Sequence, residues 1–439
     1  MKQTLFLLLM MFYFTCRSFV EPFWAVFLYY GLSVLRPQAL WEWALPEGIR
    51  WSLYAAVLAV VVAILHGRPV QRRATRPLFL PMLAVFAFCL LCSYHHALDR
   101  TLASATGWEY AKLLTMLVVG AWVLTERRHL RYLAWMIFAC LGYVVYEMNS
   151  LYFFKGMLYI YHHGFGGYDN NGAALALAMV IPFGYFFWLA ERRWWRWGYL
   201  AVTLPAMHVV MLSLSRGAML STLVVMVGML AATARRHAGR TLLAAILLTA
   251  AIAVLAGPEV RDRFATIGDK LQDPSAESRY LSWRAGYRIA KAYPLFGVGL
   301  RNSNLLTWDY GADRAGRTIH NNYLQIAADA GLPALTVFVS LLVASFGWFH
   351  LGAQRAAADM DDPEMRWHHY ICRAGGWSLA TFAVGSVFLS FETFELPYLL
   401  MLMAAAAPDL AGEPRLAIAD SQPRRLPRVA ALSPAETPA

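Results

Sequence analysis

The sequence predicts an all-α polytopic integral membrane protein of about 12 transmembrane helices (11–13), with one large periplasmic loop that carries an amphipathic helix. Of the 439 residues, 59% are hydrophobic and only 15% are charged, whereas soluble domains carry about 25% charged residues. Apolar runs recur along the chain, and a hydrocarbon core about 30 Å thick takes roughly 20 helical residues to cross. Arginine-rich and arginine-poor connections alternate between these runs, which is the pattern that orients spans in a membrane.

Thirteen apolar segments are candidate spans, each expected to be helical because lipid offers no partner to a free backbone N–H. The first two are short and are expected to form a hairpin or one broken unit, which brings the count to about 12. The N-terminal run resembles a signal peptide but lacks a small-residue cleavage site, so it is expected to remain as a membrane segment. The candidate spans are residues 2–16, 19–35, 51–66, 77–94, 106–125, 130–149, 172–190, 196–213, 217–234, 241–256, 320–349, 374–391 and 394–408.

The spans and their connections divide the chain into four parts. The excess of arginine expected in cytoplasmic loops puts the longest polar segment on the outer side of the membrane. The tail is rich in Pro, Ala, Arg and Ser, a composition typical of disorder. The parts are an N-terminal transmembrane bundle of about 10 spans (1–256), a periplasmic loop (257–319), C-terminal transmembrane helices (320–408) and a disordered cytoplasmic tail (409–439).

The charge and the cysteines exclude two classes of function. A net charge of +11 would suggest nucleic acid in a soluble protein. Here the arginines lie in short loops between apolar runs, so no nucleic-acid partner is expected. The cysteines all lie within or at the ends of apolar runs, and one pair forms a CxxC inside FAFCLLCSY. They are expected to be small buried hydrophobes without a redox or metal role; they are Cys16, Cys89, Cys92, Cys140 and Cys372.

One arginine falls where two spans meet with almost no loop, at Arg216 in SLSRGAML. A charge at membrane depth is costly unless it has a partner or a ligand, and the neighbouring serine and glycine residues leave room for one. The alternative is an arginine that only extends its side chain to the lipid headgroups. Arg216 is therefore a candidate site residue.

The periplasmic loop contains a predicted amphipathic helix over about residues 277–292. At roughly 100° per residue, Arg279 points about 140° away from Arg284. Arg279 and the basic stripe that includes Arg284 are therefore not expected to serve one small anion together. The stripe also suits a helix that lies on anionic lipid, and it consists of Arg284, Arg288 and Lys291.

A glycine-rich turn follows this helix in PLFGVGLRN. Gly297 and Gly299 allow a tight turn whose backbone N–H groups would face an anion, and Arg301 is a further anion contact. A nucleotide site is not expected, because no strand precedes the turn and no lysine has phosphate-loop spacing.

His320 begins IHNNYLQ, where the loop re-enters the membrane and the next helix starts. The helix dipole disfavours a charged histidine at that end, so His320 is expected to stay neutral and able to accept a proton. The alternative is an interface histidine that only caps the helix. Asn321 and Asn322 are further candidate caps.

Three acidic residues also lie on the predicted outer side. Asp169 follows His162 and His163 in IYHHGFGGYDNN, and it is expected first as a helix cap. Glu392 and Glu395 would orient an arginine or a sugar hydroxyl, or cap the interface. The outer loops contain no paired-acid motif with metal-ligand spacing. This predicts chemistry without a metal or cofactor, in which arginines take the part of a divalent ion toward a diphosphate.

Three of these stretches together resemble a known family. SLSRGA, SRYLSWRAGYRIAKAYPLFGVGLRN and HNNYLQIAADAGLPAL are similar, in this order and over about residues 205–345, to the core of the bacterial O-antigen ligase and polymerase superfamily. In the N-terminal half, RSFVEPFWAVFLYYGLSVLRPQALWEWALP and YDNNGAALALAMVIP resemble a branch of O-glycosylation ligases associated with exosortase systems.

The resemblance implies a multi-pass glycosyltransferase of the bacterial inner membrane, in contact with membrane lipid. It would transfer a saccharide from a polyprenyl-diphosphate carrier to a glycan, lipid or protein acceptor at the periplasmic face. Arg216, Arg279 and His320 match the family's SRG arginine, the arginine before L-x-W and the histidine of HNxxL. They would be catalytic, with the arginines on the diphosphate and His320 activating the acceptor hydroxyl. Residues expected to bind substrate are Arg284, Arg301, Asn321 and Asp169.

Two alternatives stay open at this point. An O-antigen or exopolysaccharide polymerase of the same superfamily differs from a ligase mainly in the acceptor. A flippase or transporter of a lipid-linked glycan would need charged residues along the middle of its spans. The spans contain few such residues apart from Glu109, Lys112 and Glu147.

Overall fold

The computed structural model describes residues 2–46, 48–66, 76–255 and 274–412. The first part of the predicted loop (256–273) and the tail from residue 413 lie outside these ranges. Within them the chain is helical and contains no β-strand. The helices are α1 (Lys2–Ser18), α2 (Phe23–Leu35), α3 (Pro37–Leu40), α4 (Trp51–His66), α5 (Phe79–His95), α6 (Arg100–Val123), α7 (Arg127–Lys155), α8 (Tyr159–His163), α9 (Asn170–Ala178), α10 (Ile181–Ala190), α11 (Trp197–Leu212), α12 (Arg216–Ala234), α13 (Ala238–Leu255), α14 (Pro274–Ala292), α15 (Ser303–Leu306), α16 (Asn322–Ala356), α17 (Pro363–Gly385) and α18 (Glu395–Ala411).

The helices fit the predicted all-helical membrane protein. Each candidate span coincides largely with a helix, and large apolar side chains such as Phe12, Leu65 and Leu223 are exposed as on lipid-facing surfaces. The total of about 12 spans and the side of the membrane on which the loop lies remain predictions. Four of the described helical segments are long and apolar enough to cross a membrane: Arg127–Lys155, Asn170–Ala190, Arg216–Ala234 and Asn322–Asp359.

Helix α18 is the centre of the bundle. Its side chains from Leu396 to Pro408 are buried, and it packs against α2, α6, α7, α16 and α17. Four consecutive alanines let its neighbours come close, so that Gly352 of α16 packs directly against Ala407. Such small residues maximise van der Waals packing where lipid provides no hydrophobic drive between helices.

Helix α16 breaks at Gly331, and the segment that follows α14 packs into the break. Gly331 has φ 87° and ψ 169°, which lie outside the helical region. Backbone groups of this segment then bond to those of the helix, which joins α14 and the start of α16 into one unit. The bonds run from Val298 N to Ala328 O (3.1 Å), from Gly299 N to Asp329 O (3.0 Å) and from Leu332 N to Pro294 O (2.8 Å).

The prediction that the glycine turn presents its N–H groups to an anion is wrong. The N–H of Gly297 donates to Tyr293 O at 3.2 Å, and that of Gly299 is used on α16. Both glycines have positive φ, at 65° and 107°. The glycines are needed for close backbone contact with α16, and their donors are already satisfied.

Replacing Gly331 by alanine should destabilise the protein. The new Cβ would overlap the backbone of Leu295, and alanine at this positive φ adds strain of about 1–3 kcal/mol. We expect a thermal midpoint several degrees lower in detergent. Gly198→Ala is the matched control, because a Cβ there meets nothing within 4 Å. An unchanged midpoint for Gly331→Ala would contradict the packing described here.

Two predicted boundaries differ from the structure. Helix α17 ends at Gly385 rather than near 391, because the following residues leave the helix and line the site described below. Helix α18 continues past 408 to Ala411. Its end is held by Asp409, which pairs with Arg76 at 3.0 Å and Arg355 at 3.3 Å.

The expectation that the cysteines are buried is correct only for Cys372. Cys16 is exposed, and the other three are partly exposed on helices whose outer surfaces are apolar. A cysteine in an apolar span can face lipid as readily as the core, and the sequence pattern does not distinguish the two. All five are free thiols.

Candidate functional site

Helix α14 has two different faces, as predicted. Ser282, Ala285 and Ile289 are fully buried against the start of α16. Arg279 lies at the edge of this inner face and is half-buried. The basic stripe of Arg284, Arg288 and Lys291 is exposed on the other face.

His320 is held in place by side chains of α14. The indole Nε1–H of Trp283 donates to His320 O at 3.1 Å, and the Ser282 hydroxyl donates to Ile319 O at 3.1 Å. His320 itself has a left-handed backbone, with φ 55°. Asn321 follows as the N-cap of α16, as predicted, and its side chain accepts bonds from two N–H groups of the first turn at 3.0 Å each. The helix that carries Arg279 therefore also positions His320.

The environment of His320 favours the neutral imidazole. Burial, followed by the positive charges of Arg279 and Arg317, lowers the pKa of His320 to about 4. Asp169 acts in the opposite direction and raises it. The neutral state at pH 7 agrees with the sequence-based expectation, but its cause is burial and the neighbouring arginines. A neutral histidine is able to accept a proton from a hydroxyl group.

Arg279 and the SLSRG segment line one small cavity. The space not filled by atoms is about 220 Å³, including the open mouth, and it is bounded by α9, α12, α14 and the segment after α17. Most of this space belongs to the open mouth, so the cavity is a narrow cleft that marks where Arg279 meets the SLSRG junction, and it is too small to enclose a saccharide. The lining residues include Asn171, Ser215, Gly217, Arg279 and Phe388.

The SLSRG junction is a strained turn between α11 and α12. Leu214 has φ 52°, a conformation that bulky residues rarely adopt. Ser215 is the N-cap of α12, and Arg216 is the first residue of that helix. Gly217 lies against the side chain of Phe388, where a Cβ would approach to 2.8 Å. Arg216 therefore lies at the N-terminus of α12, and its two neighbours in the chain, Ser215 and Gly217, line the cavity.

The first turn of α9 is bonded to this junction. Asp169 is the N-cap of α9, as predicted, and accepts the Gly172 N–H at 2.8 Å. The side chain of Asn170 donates to Ser213 O at 3.0 Å. The Ser215 hydroxyl donates to Asn171 Oδ1 at 2.7 Å. Asn171 therefore belongs to the candidate site, because it both bonds the junction and lines the cavity.

None of the four predicted substrate-binding residues lines this cavity. Asp169 and Asn321 are helix caps. Arg284 is exposed on the outer face of α14. Arg301 pairs through Nε with Glu392 Oε1 at 3.2 Å. The remaining Glu392 Oε2 and Arg301 Nη1 are buried without a hydrogen-bond partner. The sequence left open whether Glu392 orients an arginine, orients a sugar hydroxyl or caps the interface. In the structure it pairs with an arginine, Arg301.

Backbone strain gathers at the sequence motifs. Among the described residues, four other than glycine have clearly positive φ, and strain of this kind clusters at functional sites. Leu214 and His320 belong to the site, and Arg301 follows the glycine turn. The fourth, Arg36, was not singled out from the sequence, because its partners lie 130 or more positions further along the chain.

One group of side chains elsewhere could hold a metal ion. Within the described part of the chain, Glu21, Glu126 and His129 bring their ligand atoms within 4.8 Å of one another. Arg128 already bonds both carboxylates, to Glu21 at 2.9 Å and to Glu126 at 2.6 Å. The simplest interpretation of this cluster is an ion-pair network at the start of α7.

The fold and the cavity define an all-helical membrane protein with a compact arginine and histidine site at the ends of its helices. Residues 201–339 match the family model described as O-antigen ligase, and residues 1–171 match a family of unknown function, DUF5935. This match supports the O-antigen ligase and polymerase superfamily, which the three motifs also indicate. The narrower branch associated with exosortase systems remains a prediction.

A characterised relative gives the same indication. The chain is 28% identical over 204 residues to the exopolysaccharide production protein ExoQ of Rhizobium meliloti (strain 1021). The match covers 43% of this chain and 46% of ExoQ, so it spans less than half of the relative's length.

Proposed function

We propose that the protein is a membrane glycan ligase that transfers a saccharide from a polyprenyl-diphosphate carrier to an acceptor hydroxyl. The observation that carries the proposal is the shared placement of Arg279 and His320. One helix carries the arginine and fixes the histidine, and the cavity lined by Arg279 also receives the SLSRG junction. The family match supports the reaction class.

In this proposal the two arginines act on the donor. Arg279 and Arg216 hold the diphosphate and stabilise the negative charge that develops as it leaves. In this proposal the diphosphate lies at the mouth of the narrow cleft beside Arg279, and the saccharide extends away from it. Arginines here take the part that a divalent ion plays in other diphosphate chemistry, so the transfer needs no metal.

His320 acts on the acceptor. A ring nitrogen accepts the hydroxyl proton while the acceptor oxygen forms a bond to the anomeric carbon. The bond from that carbon to the phosphate oxygen breaks, and polyprenyl diphosphate leaves with the electron pair. A single displacement of this kind would invert the anomeric centre. The site faces the periplasm of the bacterial inner membrane, as the arginine content of the connections predicts.

The acceptor distinguishes a ligase from a polymerase. A lipid, a protein or a second saccharide chain would each offer the hydroxyl that the mechanism needs. The name of ExoQ refers to exopolysaccharide production, which favours a growing saccharide chain as the second candidate.

Purified protein in nanodiscs tests the proposal directly. It should join a polyprenyl-diphosphate oligosaccharide to one of three acceptors: a lipid A core, a protein, or a second lipid-linked oligosaccharide. The product would be followed by mass spectrometry, and we expect the same rate with and without EDTA. Movement of the donor across vesicles without a new glycosidic bond would instead support the transporter alternative, and loss of transfer in EDTA would contradict the metal-independent mechanism.

A further inference from the structure

We propose that Arg36 is a positioning residue of the transfer site. From the N-terminal part of the chain it fixes the turn before α9, and so the position of Asp169 and Asn171 at the start of that helix, against the SLSRG junction and His320. The inference rests on the proposed function. It also gives a role to residues 1–171, which match a family of unknown function: they build one wall of the site.

Arg36 makes three contacts with its guanidinium group. Nη1 donates to Gly166 O at 2.6 Å, and Nη2 pairs with Glu395 Oε2 at 3.1 Å. The guanidinium also stacks over the ring of Tyr168, 3.9 Å from its centroid. The side chains of Arg36 and Glu395 are only 22% and 14% exposed, so the pair is shielded from solvent and is stronger than a surface ion pair.

The loop that Arg36 holds is shaped for this contact. A short backbone bridge joins Phe165 and Tyr168, and the residues between them are Gly166 and Gly167, with φ 64° and 83°. A Cβ on Gly166 would come within 2.7 Å of the Arg36 side chain. A glycine is therefore required where the arginine crosses the loop.

The same loop is fixed from the opposite side by the segment that leads into α18. The ring of Tyr168 packs edge-on against Phe391 and Phe394, at centroid distances of 4.5 and 5.5 Å. Glu395 begins α18 directly after these rings. Arg36 and this segment therefore clamp the Gly166–Tyr168 turn between them.

The clamped turn, Gly166–Tyr168, directly precedes the two residues that contact the site, Asp169 and Asn171. Asp169 follows Tyr168 and is the charge that raises the pKa of His320. Asn171 binds Ser215 and lines the cavity of Arg279. A change in the turn would therefore move both residues relative to the donor and the base.

Removing the clamp should slow transfer without weakening donor binding. A small misplacement of reacting groups costs up to about 100-fold in rate, so for Arg36→Ala we expect kcat to fall about 10- to 100-fold with an unchanged donor KM. Arg36→Lys keeps the charge for Glu395 but loses the planar fork and the stacking, and should restore part of the rate. Glu395→Gln should resemble Arg36→Ala. Arg50→Ala is the control, since Arg50 is exposed in the same part of the chain.

Two readouts separate positioning from a general loss of stability. The charged groups that act on His320 are Arg279, Arg317, Arg314 and Asp169. If Asp169 moves away, the pKa of His320 falls further, so the acidic limb of kcat moves to lower pH. Hydrogen exchange at residues 165–171 should also become faster in Arg36→Ala.

The experiment uses the full chain in nanodiscs, with Arg279→Ala and His320→Gln assayed alongside. An Arg36→Ala protein with normal kcat per folded molecule, an unmoved acidic limb and unchanged exchange at 165–171 would overturn the inference. If Arg36→Ala gives these wild-type results while Arg279→Ala and His320→Gln lose transfer, the positioning role of Arg36 is wrong and the proposed function stands. Retained transfer in Arg279→Ala and His320→Gln would overturn the proposed function, and the positioning role with it.

Discussion

Replacing His320 by glutamine should reduce glycan transfer by about 10²–10⁴-fold, the usual contribution of a positioned general base. Glutamine keeps the size and polarity of the side chain but cannot accept the proton. The backbone bonds that hold this position use only the carbonyl groups of residues 319 and 320, so the fold should persist. The measurement is transfer of a lipid-linked oligosaccharide per membrane-inserted molecule.

The matched control is His162→Gln, at an exposed histidine of α8 that does not line the cavity. The wild-type pH profile gives a second test. Since His320 accepts a proton only when neutral, transfer should stay level as the pH falls below 6.5 and decline only towards about 4. A decline centred near 6.5, or wild-type transfer by His320→Gln, would show that another group is the base.

Replacing Arg279 by alanine should reduce transfer by about 10²–10³-fold, comparable to the loss of one group that stabilises developing negative charge. Arg279→Lys should recover only part of this, since an ammonium group cannot make the two parallel bonds that a guanidinium offers to a phosphate. Loss of the positive charge should also raise the pKa of His320. The acidic limb of the residual activity should therefore move to higher pH, opposite to the direction expected for a loosened Asp169.

Lys291→Ala is the control for this arginine, because it removes a cation from the exposed face of the same helix. If Lys291→Ala reduced transfer as much as Arg279→Ala, the general positive charge of α14 would be responsible, and the separate role of its inner face would be wrong. Protein levels and thermal midpoints of all variants confirm that folded molecules are compared.

The sequence predicts the helices well, because an apolar run of about twenty residues in lipid satisfies its backbone hydrogen bonds internally by forming a helix. The sequence also predicts that Arg279 and the basic stripe lie on different faces of α14, because helical periodicity alone sets the direction of each side chain. The motifs nominate Arg216, Arg279 and His320. The structure joins Arg279 with the junction that carries Arg216 at one cavity, and places His320 within electrostatic reach of Arg279.

Sequence reasoning fails where long-range contacts decide the outcome. Gly297 and Gly299 have the composition of an anion-binding turn, yet their donors are used within the loop and against α16. Arg301 has the charge of a phosphate ligand, yet Glu392 pairs with it from 91 positions further along the chain. Arg36 shows no local signal at all, because Glu395 lies 359 positions away. No local pattern carries information about such pairings.

The central position of α18 has a consequence for how the protein is made. Helices enter the membrane in the order of synthesis, and the helix around which the others pack is the last one described. A nascent chain that stops before Glu395 already contains every motif residue, but it lacks the partner of Arg36. On the proposed function, a chain that stops before Glu395 should therefore be inactive in glycan transfer although it contains the motif residues.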